Sequence, residues 1–222
     1  MCGRFALFSP QDALITAFGD IPGLEFSPRY NIAPSQDVAV VVSTDEQSLV
    51  AAQYRWGLIP FWVKDPAIGN HMINARAETL AEKPSFRQAY SRHRCLILTN
   101  GFYEWQKLPE GKQPMFISRS DNRPFVLAGL WDQWESSNGE RVLSCTIVTT
   151  AANHFMQAMH HRMPVCLEGT SLDAWLDSTA PREQLDSVIL GPQQMALQAW
   201  PVSRRVNNPA NDAEDLIGSV AS

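Results

Sequence analysis

Residues 95–106 read CLILTNGFYEWQ, two short runs of β-branched and aromatic residues broken by Asn100 and Gly101. Runs of about four to eight such residues, closed off by Gly, Asn, Pro or Asp, predict strands. The same grammar extends outward in both directions. CGRFALF (2–8), DVAVVVS (37–43) and LVAAQYRW (49–56) precede it; PMFISR (114–119), FVLAGLW (125–131), VLSCTIVTT (142–150) and PVCLE (164–168) follow. Regular spacing of short strands predicts one mainly antiparallel, barrel-like sheet. Helices read as peripheral inserts. Ser9-Pro10 looks like a cap and first turn, with Ala13, Leu14, Ala17 and Phe18 on one face and Gly19 as the stop. Further helical segments are predicted to begin near Ser85, Ala151, Thr170 and Pro181. The expected fold is therefore α+β, a single domain over residues 1–222 with its core at about 2–217. Residues 57–73, GLIPFWVKDPAIGNHMI, lack periodicity and read as a long loop of the kind that often carries function.

Composition narrows the function. The chain has 222 residues, 45% of them hydrophobic, enough for one sizeable core. No apolar run has the length of a membrane span and no secretory pattern opens the chain, so a cytoplasmic protein is expected. Its net charge of −5, with 18 Lys+Arg against 23 Asp+Glu, argues against coating nucleic acid by bulk electrostatics. Any nucleic-acid site has to be local, and arginine, the commoner cation here, suits bidentate phosphate contacts. Four scattered cysteines, without CxxC or a Cys/His cluster, indicate neither zinc nor a disulfide framework. Cys95, Cys145 and Cys166 sit in apolar stretches and read as small core residues, whereas Cys2 has no such run to hide in.

Cys2 is chemically distinctive. Removal of Met1 would leave an amine and a thiol on one residue. The α-amine has a reference pKa near ~8 against ~10.4 for lysine, so roughly 10% of it is neutral at pH 7. That amine can attack an aldehyde, and the adjacent thiol can close the resulting Schiff base into a five-membered thiazolidine. The abundant aldehyde of damaged DNA is the ring-opened sugar of an abasic site. Read in isolation, however, a cysteine before Gly3 is equally a chance strand residue.

The chain is identified as resembling the SRAP family (SOS response-associated peptidase, the abasic-site processing proteins). The matching segments are MCGRF (1–5), PRYNIAPSQ (28–36), RWGLIPFW (55–62), INARAET (73–79) and RCLILTNGFYEW (94–105). They continue with AGLW (128–131), SCTIVTTAAN (144–153), HHRMPV (160–165) and PVSRRVNN (201–208), in order along nearly the whole length.

The resemblance implies that Cys2 forms a covalent crosslink to abasic sites in single-stranded DNA and shields the lesion from strand cleavage. It implies active-site roles for Asn74, Glu104 and His160, with possible lyase and autopeptidase side activities. Read alone, Asn74 would be a turn residue and Glu104 a solvent-facing strand residue. Alternation on a strand sets Glu104 opposite Tyr103 and Trp105, among residues that would raise its pKa. The motif register favours His160 over His161, which departs from the family pattern. Arg4 and Arg76 match phosphate-holding positions, with Arg162 a weaker candidate for the same task. Phe61 and Trp62 could stack on a base or wedge against a duplex end; Pro34 and Thr149 match segments lining the site. No metal or organic cofactor is implied, and the expected partner is abasic DNA, single-stranded or at a duplex junction, bound by a monomer. Two other readings use the same residues: an N-terminal-nucleophile amidohydrolase or cysteine peptidase, and a non-covalent single-strand-binding module.

Overall fold

The computed structural model describes residues 2–44, 46 and 48–220. In chain order the strands are β1 (Phe5–Leu7), β2 (Arg29–Ile32), β3 (Asp37–Ser43), β4 (Leu49–Trp56), β5 (Asn74–Arg76), β6 (Arg94–Thr99) and β7 (Gly101–Leu108). They continue as β8 (Gly111–Arg119), β9 (Phe125–Glu135), β10 (Arg141–Ala151), β11 (Arg162–Pro164), β12 (Cys166–Leu167) and β13 (Leu197–Pro201). The helices are α1 (Gln11–Phe18), α2 (Arg87–Arg92), α3 (His154–Gln157), α4 (Thr170–Leu176) and α5 (Arg182–Leu190).

Five strands close on themselves. β10 pairs β4, β4 pairs β3, β3 pairs β6, β6 pairs β9, and β9 returns to β10. All of these contacts are antiparallel except β10 with β4, where Ser144 faces Arg55 and Cys145 faces Trp56 in parallel register. The α+β barrel expected from the strand grammar is therefore present, with one parallel seam. Closure explains why β3 is apolar without alternating: Val38 to Val42 are all buried, as befits a strand covered on both faces.

The second sheet runs β13-β8-β7-β1-β2. It is joined to the barrel through Asn100, between β6 and β7, where a hairpin would ordinarily be suspected. Asn100 Oδ1 accepts from the amides of Phe8 and Ser9 at 2.8 and 2.9 Å, and Nδ2 donates to Ser9 Oγ. The Asn-Gly pair is thus a corner that carries the chain from one sheet to the other. Gly101 is needed there because a Cβ would stand 2.4 Å from the Phe116 ring. On β7, Phe102 packs into the main core while Tyr103 joins a smaller cluster with Ala6, Phe116, Val202 and Val206.

All five helical segments occur; α4 starts at Thr170 as expected, and the others start one to three residues later than expected. The hydroxyl of Ser9 is occupied by Asn100, so α1 begins at Gln11 with Pro10 as its N-cap and no side-chain cap bond. Leu14 is its buried residue, and Gly19 stops the helix at φ 88°. β10 runs on to Ala151, so α3 begins only after Asn153, whose Oδ1 accepts from the Met156 amide. Residues 57–73 form the expected loop, with a short 3-10 turn at Pro66–His71. Gly57 makes its closure possible: φ is 127°, and a Cβ would lie 2.4 Å from the Gly69 carbonyl oxygen. Among the described residues no helix is long and apolar enough to cross a membrane.

Arg94 ties the helical layer to the barrel. Its guanidinium is 6% exposed and donates to the carbonyls of Trp175, Tyr90, Ser91 and Asp177 at 2.7–2.8 Å. These carbonyls lie at the C-terminal ends of α2 and α4, where helical carbonyls run out of amide partners; the Asp177 carbonyl also accepts from the Ala180 amide at 3.1 Å. Replacing Arg94 by Met should cost about 2–4 kcal/mol, because buried acceptors lose their donor. Urea denaturation checks this; an unchanged midpoint would show that the carbonyls find other donors.

Candidate functional site

The site is assembled where the first strand runs beside the seventh. Phe5 pairs with Phe102, and the Tyr103 amide donates to the Arg4 carbonyl at 2.9 Å, so Cys2 and Gly3 continue alongside Glu104 and Trp105. β5 closes the other side. It lies parallel to β10, with Asn74 opposite Ile147 and Arg76 opposite Thr149. Asn74 Nδ2 donates to the Cys2 carbonyl at 2.8 Å, bridging 72 residues of sequence. Asn74 Oδ1 is buried without a hydrogen-bond partner among the described residues. A buried acceptor in that condition carries a desolvation cost that a ligand donor would relieve.

Cys2 is completely buried, contrary to the expectation that it had nowhere to hide. Its cover comes from residues distant in sequence, so no local run of apolar residues announces it. The other three cysteines are buried as expected, and all four are free. Burial holds the Cys2 thiol far above its ordinary pKa, and the neighbouring Glu104 charge raises it further. The sulfur is therefore a neutral thiol, with a long contact of 3.8 Å to the Arg4 carbonyl.

Glu104 is 3% exposed, on the same side of β7 as Phe102. Burial raises its pKa. His160 is half-buried and His161 exposed, the two rings stacked at 4.3 Å, so the inward position belongs to His160. The Arg162 amide donates to His160 Nδ1 at 2.9 Å. The Arg162 carbonyl lies 3.3 Å from the same nitrogen, but the amide contact is the shorter and an amide can only donate, so neutral His160 carries its proton on Nε2. Burial lowers its pKa, which favours the neutral ring. Gln106 Nε2 donates to the Ala158 carbonyl at 3.1 Å, tying β7 to the turn before His160. Cys2, Asn74 and Glu104 are thus brought together, and His160 is tied through the Gln106 contact to the strand that carries Glu104.

The arginines divide. Arg4 is held in place by Nη1 bonds to Asn31 Oδ1 and the Val206 carbonyl, at 2.7 and 2.8 Å. Arg76 is exposed at the end of β5, two residues from Asn74 and so on the same side of the strand. Arg162, expected as a weaker phosphate ligand, is placed otherwise. It is 8% exposed; its guanidinium forks onto both carboxylate oxygens of Glu78 and also donates to the Thr149 carbonyl at 2.6 Å. It is a clamp between β11 and the segment after Arg76, with its forked face already occupied. Thr149 is fully buried, its hydroxyl donating to the Ala75 carbonyl at 3.4 Å. Pro34 is half-buried in the turn between β2 and β3.

Phe61 and Trp62 are exposed, at 48% and 51%, and no ring contact among the described residues links them to the Cys2 cluster. Two supporting residues were not singled out from sequence. Asn31 is buried and fixes Arg4, donating from Nδ2 to the carbonyls of Val206, Asn208 and Asn211. Glu78 fixes Arg162. A polar residue between apolar neighbours on β2 was a usable signal for Asn31; Glu78, exposed and 84 residues from its partner, had none. Among the described residues no group of His, Cys, Asp and Glu could hold a metal ion.

Comparison with known proteins shows the family of the chain. The model of the family described as SOS response associated peptidase (SRAP) matches residues 1–209. The abasic site processing protein YoqW of Bacillus subtilis is 42% identical over 225 residues, covering 99% of this chain and 100% of YoqW. The abasic site processing protein HMCES of Gallus gallus is 31% identical over 224 residues, 86% of this chain and 66% of HMCES. A crystal structure from Bacteroides thetaiotaomicron shares the fold, with a TM-score of 0.87 at 23% identity over 99% of this chain and 100% of that one. Matched by its family model along nearly the whole length, and by relatives above the identity at which kinship is secure, the chain belongs to the SRAP family.

Proposed function

We propose that this chain processes abasic sites in single-stranded DNA, and does so by bonding the lesion to Cys2 as a thiazolidine. The observation that carries the reading is the placing of Asn74 and Glu104 against a buried Cys2, with His160 tied to the same strand as Glu104. The names of the relatives, abasic site processing proteins, supply the substrate. The chemistry requires removal of Met1, which lies outside the described residues.

The burial of the thiol orders the steps. A neutral thiol is a poor first nucleophile, so the freed α-amine adds to the C1′ aldehyde and water leaves to give a Schiff base. The sulfur then adds to the imine carbon while its proton passes to nitrogen, and the net reaction releases one water. This order disfavours a cysteine-peptidase reading, which needs a thiolate at the start. Asn74 fixes the Cys2 carbonyl, and its unmet Oδ1 suits a hydroxyl of the opened sugar. Glu104, its acid form favoured by burial, protonates the carbinolamine hydroxyl so that it leaves as water. His160 presents Nε2–H as a donor toward the sugar or its phosphate. Arg4 and Arg76 take the flanking phosphates, and Phe61 and Trp62 a neighbouring base. Ring closure consumes the Schiff base that would otherwise acidify the adjacent sugar carbon, so crosslinking competes with strand cleavage by β-elimination.

Two variants of Cys2 separate the steps. With an abasic oligonucleotide, wild type should give a complex that survives denaturation, and Cys2→Ala none. Cys2→Ser should retain a Schiff base that is captured only with borohydride. A denaturation-resistant complex in Cys2→Ala without reductant would overturn the reading.

Glu104→Gln should slow adduct formation about 10²-fold or more, the usual worth of general-acid catalysis, without loss of DNA binding. The acid form is present below the raised pKa of Glu104 and is lost as pH rises through it. The advantage of wild type over Glu104→Gln should therefore be largest at low pH and shrink upward. A rate ratio independent of pH in single-turnover experiments would remove Glu104 from the acid role.

A further inference from the structure

We propose that Asp132 is a positioning residue that holds Trp62 outward for contact with the bound DNA strand, an inference that rests on the abasic-DNA reading above. Asp132 is an oddity of β9. The strand reads FVLAGLWDQWE, and Asp132 occupies an inward position between Leu130 and Trp134, 5% exposed. A carboxylate there costs desolvation that needs a compensating task. Its Oδ2 accepts from the Phe61 amide at 3.0 Å, and Oδ1 from the Gln133 amide at 2.9 Å. Two residues further along the same face, Trp134 Nε1 donates to the Val63 carbonyl at 2.8 Å.

The spacing is the argument. Residues 132 and 134 of the strand grip residues 61 and 63 of the loop, so hydrogen bonds bracket Trp62 on both sides while its indole stays half exposed. The base of the loop is fixed as well, since the Ile59 amide donates to Ser144 Oγ at 2.8 Å. Trp62 separates two shallow grooves. One is lined by Val63, Lys64, Asp65, Ile68 and His71, the other by Phe61, Pro84, Arg87 and Gln88. Each groove thus offers a cationic side chain, Lys64 or Arg87, beside an aromatic face, the combination that single-stranded nucleic acid uses. An exposed tryptophan on a slack loop would lose conformational freedom on binding. The bracket removes that cost in advance, which is preorganisation. A residue acting in this way changes how tightly DNA is held and leaves the chemistry at Cys2 untouched.

His93 completes the surroundings of the carboxylate. Its Nδ1 lies 3.8 Å from Asp132 Oδ1, and its ring stacks on Trp131 at 4.4 Å. No hydrogen bond joins the two residues at that distance, so the Phe61 and Gln133 amides are what Asp132 holds.

The test is the protein-concentration dependence of adduct formation on a labelled abasic oligonucleotide, which separates the half-saturating concentration from the maximal rate. Asp132→Ala should raise the half-saturating concentration about tenfold, the usual loss for a hydrogen bond to a charged group, with the maximal rate kept within about twofold. Asp132→Asn, which retains one acceptor, should lie between wild type and Ala. Trp134→Phe removes the other arm of the bracket and should shift the same parameter, which keeps the proposal testable if Asp132→Ala does not fold. In a Trp62→Ala background, Asp132→Asn should have no further effect. Full additivity of the two changes, or a fall confined to the maximal rate, would overturn the positioning role. So would an unchanged half-saturating concentration in both Asp132→Asn and Trp134→Phe while Trp62→Ala weakens binding. Absence of any adduct in wild type would instead defeat the underlying DNA reading, and this inference with it.

Discussion

The register of β1 against β7 is the constraint on which the rest depends. Pairing of Phe5 with Phe102 carries the three preceding residues, Cys2 to Arg4, along a strand whose next inward side chain is Glu104. A slip by one residue would turn Glu104 to the opposite face and present Tyr103 to Cys2. Several independent contacts hold the register. Asn100 pins the far end of β1 through Phe8 and Ser9, the Tyr103 amide holds the Arg4 carbonyl, and Asn74 holds Cys2 itself. The backbone around Cys2 is therefore held at several points, and the proposed chemistry needs only Cys2 and a few side chains to act on that frame.

That rigidity bears on the electrostatics. Cys2 and Glu104 are buried side by side, and each is pushed by burial toward its protonated form. His160 is pushed the same way, toward neutrality, with its remaining proton directed from Nε2 by the Arg162 amide. A pocket of neutral donors around an amine favours condensation with an aldehyde, in which water has to leave. The cationic groups stand outside this pocket. Arg4 is braced by Asn31, and Arg76 sits on the strand that also supplies Asn74, so the proposed phosphate contacts and the proposed chemistry would share one framework.

What the sequence made legible follows from the range of each interaction. Strands such as 37–43 and 125–131 announce themselves through local β-branched and aromatic runs, and the helical inserts through stop and start residues. Interactions between distant segments were hidden. The parallel seam of β10 with β4 and β5, the burial of Cys2 and the clamp of Arg162 on Glu78 all join residues about 70 or more positions apart. Where sequence misplaced a helix start, at Ser9, a long-range partner had taken the capping hydroxyl. Asn74, Glu104 and His160 were identified through the family motifs, because a lone Asn, Glu or His carries no chemical signature. Asp132 was visible as a charge in an apolar strand, yet its purpose depended on a loop some 70 residues earlier.

The central claim is that nitrogen and sulfur of one residue bond to one sugar carbon. Intact mass measurement of the protein before and after exposure to an abasic oligonucleotide addresses it most directly. The account predicts a free protein lacking the mass of Met1, and an adduct equal to that protein plus the oligonucleotide minus one water, stable without reductant. An adduct that still contains the initiator methionine would contradict it.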